Sequence, residues 1–127
     1  NGLQVQYRNF LQSYLIRSVV LSQPKLSREE LDAMIGELTI TDPTLAEKTQ
    51  KMSVALYDLT IAHESNDYFE TLTNEYKYPQ LEIIYYKAVN AAIKGDTNRA
   101  GELLRQFSGE DERLYVVRMG KERLENE

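Results

Sequence analysis

Arg17 stands three residues after Tyr14, one turn along a stretch whose apolar residues recur with helical spacing. An arginine fork beside tyrosine hydroxyls suits a carboxylate, because the guanidinium offers two parallel charge-assisted hydrogen bonds. Counting along the chain's helices at about 1.5 Å per residue brings Lys48 and Met52, Tyr85 and Tyr86, and Leu103 to a similar height. Tyr14, Arg17, Lys48 and Tyr85 are therefore candidate contacts for a small carboxylate. A plainer role competes: Arg17 in a surface or dimer-rim ion pair, and the tyrosines at core edges with their hydroxyls in water.

His63, Glu64 and Asp67 form the one metal-like cluster. One histidine with two carboxylates can hold a divalent cation, but the spacing fits no dedicated motif. A histidine at a helix C-terminus, interacting with the helix dipole, is the preferred reading of His63 over a metal ligand. Tyr76, Tyr78, Tyr85 and Tyr86 gather around Pro79 and read as packing for a kink rather than as an aromatic cage. There is no Gly-rich phosphate loop, no nucleophile elbow, no cysteine, and a single His without an obvious Ser or Asp partner. The chain is thus expected not to be an enzyme and to carry no cofactor or resident metal.

A net charge of -5 argues against a nucleic-acid-binding surface, which normally shows a basic stripe. With no cysteine, disulfides and thiolate chemistry are excluded. No run approaches the roughly 18 apolar residues of a membrane span, so any anchor is expected outside this stretch. At 127 residues the chain is expected to be one domain, 1–127, with a single core.

The elements that must position these residues are helical. Leu3 to Ser22 is predicted as the first helix, with Leu3, Tyr7, Phe10, Leu11, Tyr14, Leu15, Ser18 and Leu21 as its inward face. Pro24 ends it. Ser27 with Glu30 is a capping box that opens a short helix to about Leu38. Thr39 to Thr41 is β-branched and expected to be extended. Asp42-Pro43 pairs an N-cap acid with proline at the first helical position, and Leu45, Thr49, Met52, Leu56, Leu59 and His63 continue that helix. Asp67 with Glu70 makes another box-like start, after which helical spacing runs to Gly95 and is read as one helix kinked at Pro79.

Gly95 is the residue expected just past a helix end, and Asp96 a good N-cap for the next helix, so Lys94 to Thr97 is predicted as a hairpin. Beyond it Ala100, Leu103, Phe107, Glu110, Leu114, Val117, Lys121 and Leu124 alternate in steps of three and four, the seam of a long packed helix. Its unstopped end, and an opening that enters helix by Leu3, lead to the expectation of a middle domain excised from a larger parent. The predicted fold is all-α: four long helices in an up-down-up-down bundle, with a short extra helix between helices 1 and 2.

The run AAIKGDTNRAGELL, at Ala91 to Leu104 and continuing the Ala88 pattern, resembles the junction between third and fourth helices in four-helix-bundle extracytoplasmic sensory domains. These belong to bacterial transmembrane receptors: methyl-accepting chemotaxis proteins, sensor kinases and diguanylate cyclases. The sequence likeness lies mainly in residues 81–117, while the segment from Pro24 to Asp42 departs from the commoner pattern. The resemblance implies a periplasmic domain of a membrane-anchored parent, a homodimer, and a small ligand that biases a slight shift of the terminal helices. It also implies arginine-bearing sites on the first helix and near the start of the fourth, where Arg99 and Arg105 stand. The rival expectation is a cytoplasmic helical interaction module, tetratricopeptide-like or adaptor-like, since the same Gly-Asp hairpin joins helices there. Its roughly 34-residue period is not repeated, whereas stacked units need several copies.

Overall fold

The computed structural model describes residues 2–75 and 80–106. They are all-helical: α1 (Gly2–Ser22), α2 (Arg28–Gly36), α3 (Pro43–Tyr57), a π-helical turn (Asp58–Ala62), α4 (Tyr68–Glu75), α5 (Gln80–Ile93) and α6 (Thr97–Arg105). The chain divides into two compact units, Asn1–His63 and Glu64–Glu127. The expected Pro79 kink and the seam from Phe107 onward lie outside the described residues.

In the first unit, local chemistry sets the helix starts. The Ser27 hydroxyl accepts from the Glu30 amide at 3.1 Å, while the Glu30 carboxylate accepts from the Ser27 amide at 3.1 Å, a complete capping box. Asp42 accepts from the amides of Thr44 and Leu45 ahead of Pro43, which needs no donor at that position. α1, α2 and α3 pack on one another and bury Ile16, Val20, Leu26, Leu31, Met52, Ala55, Leu56 and Leu59.

α1 presents a different face inward from the one its apolar spacing predicts. Asn9, Ile16 and Val20 are its buried residues, whereas Leu3, Tyr7, Phe10, Leu11, Tyr14, Leu15 and Leu21 are exposed, Phe10 at 67% and Tyr14 at 66%. The reason is that α1 is almost evenly apolar around its circumference, so apolar periodicity does not select a side. Hydrogen bonding does. Asn9 donates to the Thr41 hydroxyl at 3.1 Å and accepts from the Thr41 amide at 3.3 Å. The Gln12 carbonyl accepts from the Thr39 amide at 2.8 Å, and the Ser13 hydroxyl accepts from the Thr49 hydroxyl at 2.9 Å. Asn9, Gln12 and Ser13 share one helical face, Asn9 and Gln12 tying it to the irregular segment 39–41 and Ser13 tying it to α3.

After Tyr57 the helix widens into the π-helical turn, and His63 follows in the left-handed region at φ 56°. His63 is exposed, and its amide donates to the Asp58 carbonyl. The helix therefore stops at the residue that the helical spacing had carried through.

In the second unit, α5 and α6 form the predicted hairpin. The Asp96 amide donates to the Ala91 carbonyl at 2.9 Å and the Gly95 amide to the Ala92 carbonyl at 3.0 Å, with Gly95 at φ 87°. This is the paired closure of a Schellman motif. Asp96 then caps α6 by accepting from the Arg99 amide at 3.1 Å. Ile84, Ala88, Leu103 and Leu104 pack into one cluster, with Leu81 and Tyr85 against it. α4 lies on α5, where the Phe69 and Tyr86 rings stack with centroids 4.8 Å apart.

Candidate functional site

The five residues singled out from the sequence divide between the units. Tyr14, Arg17 and Lys48 belong to the first, Tyr85 and Arg99 to the second. Tyr14 stands on the outer face of α1. Arg17 and Lys48 are both half-buried, and burial first, then the positive charge of Arg17, holds the Lys48 ammonium below the usual lysine range. The two cations are thus close enough to feel each other's charge. Tyr85 is half-buried at the edge of the α5–α6 cluster, its ring edge-to-face with Tyr86 at 5.3 Å. That is the core-edge role that the sequence had left open for it.

Arg99 meets a wider arrangement. A polar pocket of about 140 Å³ is lined by Glu70, Lys87, Asn90, Ala91, Lys94, Asp96 and Arg99. Its floor is Asn90, 4% exposed, whose amide nitrogen donates to Asp67 at 2.8 Å and whose carbonyl accepts from the Asn66 amide at 2.7 Å. The Lys94 ammonium also donates to Asp67, at 2.5 Å. These two hydrogen bonds hold the Asp67 carboxyl below the usual aspartate range, Lys94 contributing most and Asn90 next. The Asp67 carboxylate, read from the sequence as a capping acid, reaches across to Asn90 of α5 and Lys94 of the hairpin, while its backbone carbonyl accepts from the Glu70 amide. On the other side, Glu70 bridges two cations, with one oxygen 3.1 Å from Arg99 Nη2 and the other 3.3 Å from Lys87 Nζ.

Lys87, Asn90 and Lys94 recur at steps of three and four along the second half of α5 and just past its end, where the other residues are apolar, so the stripe was visible in the sequence as one polar face. What was not visible is that Glu70, read as a cap acid, turns toward that face. Three cationic heads and the carboxylates of Glu70 and Asp96 line a space whose one apolar wall is Ala91. Such a space can hold the head of a small organic anion through charge-assisted hydrogen bonds.

Among the described residues no group of three His, Cys, Asp or Glu side chains is placed to hold a metal ion, and no helix is long and apolar enough to cross a membrane. No known protein family, curated protein or solved structure matches this chain.

Proposed function

We propose that this chain is an extracytoplasmic ligand-sensing domain of a bacterial transmembrane signalling receptor, chemoreceptor-like in design and without enzymatic activity of its own. Its helices assemble as an up-down-up-down four-helix bundle with one short extra helix, and two copies pair in the membrane-anchored parent. The ligand is a small carboxylate, and binding biases a shift of the terminal helices. Such a ligand must bind one signalling state better than the other, since contact alone transmits nothing. The observation that carries this reading is the pocket in which Lys87, Lys94 and Arg99 stand with Glu70 and Asp96, polar and floored by a buried amide.

A thermal-shift series with small carboxylates on the wild type and on Arg99→Ala tests the proposal. A carboxylate at a hundredfold excess over its dissociation constant stabilises the folded state by about 2.7 kcal/mol, a rise of several degrees in Tm. That rise is expected in the wild type and strongly reduced in Arg99→Ala. A Tm unchanged by every carboxylate at millimolar concentration overturns it.

The second reading, a cytoplasmic helical interaction module, draws support from the exposed apolar stripe of α1, of the kind that marks protein contacts. In that case small anions leave the melting point unmoved.

A further inference from the structure

Lys87 and Arg99 are not vacant in the pocket: both oxygens of Glu70 already lie between them. The two sides of this bridge are unequally buried. The Lys87 side chain is 16% exposed and that of Glu70 42%. A largely buried ammonium is costly to leave without a counter-ion, whereas a half-exposed carboxylate finds water when it turns away. The neighbouring charges do not relieve Lys87. The Asp67 carboxylate is engaged by Asn90 and Lys94, and the Asp96 carboxylate accepts from the Arg99 backbone amide at the start of α6. The one exchange that keeps Lys87 paired is anion for anion.

We propose that Glu70 is the pocket's resident anion, and that a small organic anion binds by taking its place between Lys87 and Arg99, which releases α4 from the α5–α6 hairpin at that point. This rests on the carboxylate-sensing reading and adds how the site is occupied and what binding changes. α4 stays docked through the buried Phe69 and Leu72 and through Asp67, so the change is a loosening of its Glu70 turn and not its departure. The space of about 140 Å³, walled by polar groups apart from Ala91, selects a compact anion without a large apolar part. Carboxylate and phosphate share the required chemistry.

The test is calorimetric titration of succinate, malate, citrate and inorganic phosphate into the wild type, Glu70→Gln and Lys87→Met at low ionic strength. Glutamine keeps the shape of Glu70 and removes the competing charge. The expected result is that at least one probe binds Glu70→Gln about tenfold more tightly than the wild type, the size of one charge-assisted hydrogen bond. The same probe is lost in Lys87→Met, and the probes that bind tell carboxylate from phosphate. Hydrogen exchange at the amides of α4 should rise when that probe is added to the wild type. Equal or weaker binding to Glu70→Gln overturns the displacement while leaving the sensing reading intact. Binding undiminished in Lys87→Met overturns this site. No binding to either the wild type or Glu70→Gln overturns both readings.

Discussion

The Asn90 amide donates to the Asp67 carboxylate at 2.8 Å from a position only 4% exposed, and so joins the loop before α4 to the last turn of α5. Its carbonyl is used as well, by the Asn66 amide at 2.7 Å. One side chain thus satisfies a backbone donor and an acid that apolar packing could not serve. Asn90→Leu keeps the volume and removes both hydrogen bonds, so that the Asn66 amide loses its 2.7 Å acceptor. Its expected cost is about 2 kcal/mol, read as a lower denaturant midpoint with an unchanged slope. A midpoint equal to that of the wild type would mean that water serves the Asn66 amide as well as Asn90 does.

The same acid makes stability depend on pH. Its carboxyl is held below the usual aspartate value in the folded protein, first by Lys94 and then by Asn90. A depressed folded-state value contributes stability that is present above the unfolded value of about 3.9 and lost as pH falls through and below it. Asp67→Asn should therefore melt below the wild type at pH 7, by a small margin because the pair is solvent-exposed. Near pH 2 the two melting curves should coincide.

Helix starts were legible in this sequence because their chemistry is local. Ser27 with Glu30, Asp42 with Pro43, and Gly95 with Asp96 each act within four residues, and each stands where the residue types indicate. The facing of α1 was not legible, because it is decided by Asn9 and Gln12 meeting threonines 32 and 27 residues away. Apolar spacing alone carries no information on that pairing. The site divides the same way. Arg99 was singled out, but Glu70, 29 residues from it, had a sufficient local explanation as a cap acid and so drew no notice.

Two glycines should respond in opposite directions to the same substitution. Gly95 closes α5 at φ 87°, where an alanine Cβ is strained whatever the space around it, so Gly95→Ala should cost about 1 kcal/mol. Gly101 lies inside α6, and a Cβ there meets only the flexible end of Arg105, at 3.3 Å. Gly101→Ala should be neutral or stabilising, by up to about 1 kcal/mol from helix propensity. Thermal melts of the two variants check both signs in one experiment.

The inward face of α1 can be settled by contrasting substitutions on its two sides. If Asn9 is the anchoring contact, Asn9→Ala removes the partner of both the Thr41 amide and the Thr41 hydroxyl, at an expected cost of about 1 kcal/mol, the net worth of a typical hydrogen bond, because Thr41 is exposed and water replaces part of what is lost. Phe10→Ser and Tyr14→Ser, on the exposed side, should each change stability by less than about 0.5 kcal/mol in the monomer. Denaturant midpoints at low protein concentration, where self-association does not contribute, give the comparison. A large loss from Phe10→Ser with little from Asn9→Ala would restore the face that apolar spacing predicts and place the hydrogen-bonded side of α1 in solvent. The ordering expected here follows from an evenly apolar helix, whose side toward the core is chosen by the few polar groups that find partners there.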